Sequence, residues 1–231
     1  MKKHSEMYFD EKVEKTEATA IHRFFFEISK DYIKDKNVLD IGCWVGGYEL
    51  LINEYACQIT AIDIEERALA VAKKSFPNII FLKASVLELP FPDNSFDVVT
   101  MWAVIEHIPK GTEIKALKEI NRVLKKNGIF CLNTMNNHWL SKLLDPAYFL
   151  KDHRHYNIKI LEEMLYCTGF KIIKTFINGK LLTPIYLNIF YFFKHLLKRK
   201  MPRLKIIEDW QMKEYYQEGF NEINIIAQKN E

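Results

Sequence analysis

Asp40 and Asp63 are the two residues whose type and spacing most directly suggest a ligand. Asp40 lies in VLDIGCWVGG (Val38 to Gly47), a strand-like apolar run that passes into a turn of small residues before a helix. Gly42 and Gly46 leave the backbone bare enough there for a ligand to come close. A carboxylate ahead of such a turn can neutralise an ammonium, whereas it repels a pyrophosphate at the same place. Gly42, Trp44 and Gly47 fit the nicotinamide-binding fingerprint only with one glycine missing, and the charge at Asp40 argues against that cofactor. Asp63 ends the next apolar run, QITAID, where a carboxylate can accept both hydroxyls of an adenosine ribose. The pair therefore suits an adenosine that carries an amino acid.

The candidate acid–base groups lie further along. His107, in Glu106-His107, has an ordinary pKa near neutrality and is the first candidate general base. A base is needed when the acceptor is a poorly acidic hydroxyl or a protonated amine. The alternative is that Glu106 and His107 form a structural hydrogen-bonded pair. KDHRHYN supplies His153, His155 and Tyr156, equally able to line a site or to sit at the surface. Cys43, Cys57, Cys131 and Cys167 show no CxxC spacing and are expected to be reduced thiols.

These residues need a scaffold, and hydrophobic periodicity supplies one. Strands are expected at 37–41, 58–62, 78–83, 96–101, 129–134, 170–176 and 222–228, with helices at 16–32, 48–55, 65–75 and 112–124. Continuous apolar strands separated by helices imply an α/β fold with a mostly parallel sheet covered on both faces. Residues 136–156 read as an irregular stretch that should cover the acceptor pocket. About 45 residues separate the last two strands, so a helical insertion is expected at about 179–219. The chain divides as one domain, 1–231: an N-terminal helical cap (1–36), a cofactor-binding core (37–135) and an acceptor side (136–231).

VLDIGCWVGG, AIDIEERAL (Ala61 to Leu69), LPFPDNSFDVV (Leu89 to Val99), VIEHIP (Val104 to Pro109) and EINRVLKKNG (Glu119 to Gly128) stand in this order. With them the chain resembles the class I S-adenosylmethionine-dependent methyltransferases, in particular the ubiquinone and small-molecule subgroup, over about Val38 to Phe176. The resemblance implies a doubly wound, Rossmann-like sheet of seven strands with an antiparallel last strand. It implies S-adenosylmethionine as cofactor and S-adenosylhomocysteine as product, with contacts from Asp40, Gly42, Trp44, Gly46, Asp63, Ile64, Ser85, Val86 and Trp102. Trp44 replaces a usual third glycine, Ser85 replaces a usual adenine-reading aspartate, and Trp102 either borders the donor or belongs to the core. The resemblance places His107 near the reaction centre. Some relatives hold a divalent ion through a glutamate three residues before the Glu-His pair; that position is Ala103 here, so no metal is expected. The expected reaction is methyl transfer to a small-molecule acceptor, lipid- or glycan-linked among the options. The alternative is a non-catalytic, S-adenosylmethionine-binding subunit of another methyltransferase.

The formal net charge of +3 demands no nucleic-acid partner. MKKHSEMYFDEKVEKTEAT carries no apolar run behind its lysines, which leads to the expectation of a cytoplasmic protein. Pro184 to Lys205 joins an aromatic and aliphatic run to a basic one, with six Lys or Arg between Lys194 and Lys205. That segment is expected to form a lid, a dimer contact or a peripheral membrane contact at 184–205. Oligomeric state is left open by the sequence.

Overall fold

The computed structural model describes residues 16–151, 153–193, 197 and 204–230. The strands are β1 (Asn37–Ile41), β2 (Gln58–Asp63), β3 (Ile80–Lys83), β4 (Phe96–Trp102), β5 (Leu124–Met135), β6 (Phe170–Asn178) and β7 (Glu222–Lys229). Their central members, such as VLDI and VVTMW, are apolar almost throughout because helices bury both faces. The sheet order is β3-β2-β1-β4-β5-β7-β6, and only β7 runs antiparallel to its neighbours. Strand order reverses between β1 and β4, so the ligand crevice of such a sheet opens at the carboxyl ends of these two strands.

One face is covered by α1 (Ala20–Ile33), α2 (Glu49–Ile52) and α3 (Glu66–Ser75), with Phe24, Phe25, Ile52, Leu69 and Trp102 in a common core. The other is covered by α4 (Glu113–Val123) and α7 (Ile158–Cys167), with Leu117, Ile120, Leu161 and Leu165 packed on Phe130 and Leu132. α1 begins at Thr19, whose backbone N–H donates to Nδ1 of His22 at 3.1 Å. This satisfies one of the amide groups that a helix start leaves free.

The antiparallel β7 has a consequence for the site. Because β6 ends at Asn178 and pairs there with Glu222, the whole segment between them begins and ends at the carboxyl edge of the sheet. Its helices among the described residues, α8 (Leu182–Tyr191) and α9 (Lys205–Tyr215), therefore stand over the crevice. Buried Glu214 of α9 accepts from the backbone N–H groups of Leu182 (2.9 Å) and Thr183 (3.1 Å), fixing the start of α8. Asn188 of α8 donates from Nδ2 to Leu144 O at 2.6 Å and ties the helix to α5 (Trp139–Leu144). The basic half of the 184–205 segment lies largely outside the described residues. Among those described, no helix is long and apolar enough to cross a membrane.

Two expectations require correction. The stretch 136–156 is not irregular throughout but contains α5 and α6 (Pro146–Lys151), the first started by His138 Nδ1 accepting from Leu140 N–H. The helix expected at 48–55 is confined to Glu49–Ile52, because the chain turns at Tyr55 to place Lys36 O against Cys57 N–H. The four cysteines are free thiols, two buried (Cys43, Cys131) and two exposed (Cys57, Cys167).

Candidate functional site

The turn after β1 holds an unusual concentration of backbone and charge. Gly42 has φ +83, and a Cβ there would lie 2.2 Å from Val104 Cγ2; Gly46 has φ +84 and faces Phe76. Trp44, where a third glycine was missed, nonetheless adopts φ +51, so the turn keeps the left-handed shape at a residue that pays a steric cost for it. Asp63 stabilises this shape: Trp44 N–H donates to its Oδ2 at 2.9 Å and Glu65 N–H to its Oδ1 at 2.8 Å. Gly42 N–H reaches Ile62 O at 2.7 Å. Asp40, Gly42, Trp44, Gly46 and Asp63 are thus gathered at one place between β1 and β2.

Asp40 is buried and accepts from the Thr100 hydroxyl across the β1–β4 ladder. Beside it stands Glu49, fully buried, which the sequence reading did not single out; its carboxyl shares a hydrogen bond with that of Asp40 and meets no other side-chain donor among the described residues. Burial pushes the Asp40 carboxyl up to about 6, against the Thr100 bond. Burial and the charge of Asp40 push Glu49 well above the usual carboxylate range. Two neighbouring buried acids with no basic partner among the described residues fit a ligand that brings positive charge and N–H donors, as the methionine moiety of S-adenosylmethionine does. The signal in the sequence was a glutamate two residues after Gly47 on an otherwise apolar helix, YELLI.

The remaining cofactor candidates are more dispersed. Ile64 follows Asp63 and is 45% exposed, whereas Val86 is buried against Leu89 in the core. Ser85 Oγ accepts from Leu87 N–H at 3.2 Å, which spends one of its lone pairs on a local turn. Trp102 is stacked on Phe25, ring centroids 4.5 Å apart, with Tyr48 edge-on to it. The structure therefore places this indole in the core beneath α1, on the same face of β4 as Thr100.

A cavity of about 320 Å³ lies at the carboxyl ends of β4 and β5 and the amino end of β7, between them and the starts of α1 and α8 and the length of α9. Glu106, His107 and His153 line it together with Asn133, Asn221 and Glu222. His107 and His153 stack with ring centroids 4.8 Å apart. His153 Nδ1 lies 2.6 Å from Asp145 Oδ2, and its Nε2 lies 3.8 Å from Glu106 Oε1. Glu106 accepts from the Thr134 hydroxyl at 2.8 Å, and burial raises its carboxyl above the ordinary range. Asp145 moves the other way: although burial opposes it, hydrogen bonds from His153 and His155 hold it well below the usual carboxylate range.

The KDHRHYN residues therefore separate in role. His153 faces the cavity, whereas His155 is enclosed between Asp145 Oδ2 (2.9 Å) and Asn136 O (3.1 Å). Tyr156 is buried with its hydroxyl 3.0 Å from Ile105 O. Arg154 joins the segment to the loop after β4 by donating to Ile105 O and Ile108 O, each at 2.6 Å, and by pairing with Glu113 at 3.2 Å. Neither Asp145 nor Arg154 was foreseen, since α6 separates Asp145 from its histidines in sequence. Ligand atoms of Glu106, His107 and His153 lie within 4.8 Å of one another, as do those of Asp145, His153 and His155.

Residues 39–132 match the family described as Methyltransferase domain. A Mycobacterium tuberculosis protein named “Probable S-adenosylmethionine-dependent methyltransferase” is 33% identical, covering 58% of this chain and 48% of its own length. The demethylmenaquinone methyltransferase of Staphylococcus aureus is also 33% identical, covering 49% of this chain and 60% of that protein. The chain thus spans about half the length of the first of these relatives and three fifths of the second. Among solved structures, a SAM-dependent methyltransferase from Archaeoglobus fulgidus shares the fold with a TM-score of 0.64 at 18% identity, over 90% of this chain and 93% of that one. Residues 39–132 are thus similar in sequence to a methyltransferase domain, as they are to these S-adenosylmethionine-dependent relatives, and the seven-stranded sheet shares its fold with the solved methyltransferase.

Proposed function

We propose that the chain transfers the methyl group of S-adenosylmethionine to a small molecule held in the cavity, and that the His107–His153 pair handles the acceptor's proton. The observation that carries this reading is the continuity of one segment. Val104 packs on Gly42 of the cofactor turn, while Ala103, Glu106 and His107 line the cavity. Cofactor turn and cavity thus share a wall.

The bound cofactor supplies a methyl group already activated on a sulfonium. The protein's task is then mainly alignment, which in the best intramolecular cases lowers a barrier by ~7 to 11 kcal/mol. Asp63 fixes the cofactor turn through Trp44 and Glu65, and the Asp40–Glu49 pair receives the amino-acid end. In the cavity, Asp145 holds His153 by Nδ1, leaving Nε2 as the atom that accepts a proton. His107 keeps that ring in place by stacking.

For the acceptor's remaining structure, α8 is suggestive. Ile185 and Ile189, one turn apart, are both more than 40% exposed on a helix whose Thr183 and Tyr186 line the cavity. This supports an apolar or lipid-linked portion and a membrane-surface role for 184–205. Co-sedimentation with vesicles of acidic lipid tests it: pelleting at low salt supports the reading, and a supernatant protein at every salt concentration removes it.

The activity itself is tested by incubating the protein with a metabolite extract and methyl-deuterated donor. Mass spectrometry should find a trideuteriomethylated product that is absent with Asp63→Ala. Binding of S-adenosylhomocysteine without any labelled product would instead favour a non-catalytic subunit.

A further inference from the structure

The charge of the cavity is lopsided. Glu106, Asp145, Glu208 and Glu222 line it, and among the described residues no lysine or arginine does. Three of these carboxylates have a basic neighbour: Glu208 has Arg23 at 3.5 Å, Glu106 has His153 Nε2 at 3.8 Å, and Asp145 has His153 and His155. Glu222 has none among the described residues. It is 3% exposed, and its one hydrogen bond seen is from the Asn133 amide at 3.1 Å. The second N–H of the same Nδ2 donates to Asn224 Oδ1 at 2.9 Å, so the Asn133 side chain has no further donor to give. Burial pushes the Glu222 carboxyl up to about 7, with the charges of Glu106 and Glu214 adding to it against the Asn133 bond.

A second observation comes from the neighbouring residue. Asn221 is 1% exposed and lines the same cavity, and its Oδ1 meets no hydrogen-bond donor among the described residues. An orphaned buried acceptor is destabilising unless a ligand satisfies it. A cavity that offers an under-compensated carboxylate and a free amide oxygen side by side asks for a group with several N–H donors and positive charge.

We propose that the acceptor presents an amine to this cavity, bound as an ammonium by the Glu222 carboxylate and the Asn221 amide oxygen and methylated on nitrogen. The proposal rests on the methyltransferase reading above and specifies its substrate class. The ammonium gives one proton to His153 Nε2, which frees the nitrogen lone pair. That pair forms the new N–C bond to the donor methyl carbon, and the C–S electron pair passes to sulfur, leaving S-adenosylhomocysteine and a methylated ammonium. The proton on His153 then leaves to solvent. The imidazolium is stabilised meanwhile by Asp145 at Nδ1.

The test uses matched probes: phenethylamine against 2-phenylethanol, and butylamine against butanol, titrated calorimetrically into protein saturated with S-adenosylhomocysteine. Each amine should bind at least tenfold more tightly than its alcohol. Glu222→Gln should erase that preference while the Kd for S-adenosylhomocysteine stays near wild type and the melt stays cooperative. Asn221→Ala should weaken both amines severalfold and serves as the second variant should Glu222→Gln fail to fold. Amines that bind no better than the alcohols, or that fail to bind at all, overturn the amine assignment. Failure of S-adenosylhomocysteine itself to bind would instead overturn the underlying methyltransferase reading.

Discussion

The imidazoles of His107 and His153 lie face to face, ring centroids 4.8 Å apart and planes 20° from parallel, although 46 positions separate them in sequence. His153 carries a carboxylate at Nδ1, Asp145 at 2.6 Å. If it takes the proton, His153→Ala should lower turnover by ~10² to 10⁴ with donor affinity nearly unchanged. His107→Ala should cost less. Asp145→Asn removes the charge that stabilises the imidazolium, so the acid limb of the pH–rate profile should move to lower pH. Equal, small losses in all three variants would leave the pair without a part in proton transfer.

Gly42 tests the cofactor turn without touching charge. A methyl there meets Val104 Cγ2 at 2.2 Å, and φ +83 disfavours any side chain. Left-handed backbone and overpacking together should cost Gly42→Ala ~2 to 5 kcal/mol. Urea unfolding measures this directly; a wild-type midpoint would mean that the turn is looser than the structure has it.

Much of this was legible from residue order, and the limits were physical. The alternation of apolar strands with amphipathic helices gave the sheet, because buried parallel strands need little beyond β-branched and aliphatic runs. Asp40, Gly42 and Asp63 were legible because their chemistry is local to strand ends. Asp145, Arg154 and Glu222 were not. Each acts through partners brought near only by the fold: Asp145 across α6, Arg154 on carbonyls of the loop after β4, and Glu222 at the edge where β7 meets β5. Trp102 was open to two readings, since an indole at the end of a strand carries the same letter whether it borders a ligand or packs on Phe25.

Glu222 also makes a prediction about pH. Its folded pKa, about 7, lies above the ordinary 4.5, so the folded state holds this proton more tightly than the unfolded chain does. The associated stability is fully present below about pH 4.5 and is lost as pH rises through 7, amounting to about 3 kcal/mol at most. Ligand-free wild type should therefore lose more unfolding free energy between pH 5 and pH 8 than Glu222→Gln does. Asp40, raised to about 6, contributes in the same direction to both proteins and cancels in the comparison. Parallel profiles would place Glu222 in a wetter setting than the one described.

Metal dependence is a separate question. The Glu106, His107 and His153 atoms are close enough to share an ion, yet Glu106 Oε2 is already bonded to Thr134 and His153 Nδ1 to Asp145. Ala103 adds no further carboxylate. Thermal melts with EDTA and with Mg²⁺, Mn²⁺ or Zn²⁺ should superimpose. A reproducible rise in Tm with one ion, abolished by Glu106→Gln, would establish a metal site here.

The cofactor crevice is the central claim, and calorimetric titration with S-adenosylhomocysteine tests it most directly. Asp63 accepts two backbone N–H groups yet keeps lone pairs on both oxygens for the ribose hydroxyls. Wild type should bind with a measurable Kd, and Asp63→Ala should lose ~2 to 4 kcal/mol of that binding. A wild-type protein that shows no binding at millimolar ligand, or an Asp63→Ala variant with an unchanged Kd, would contradict it.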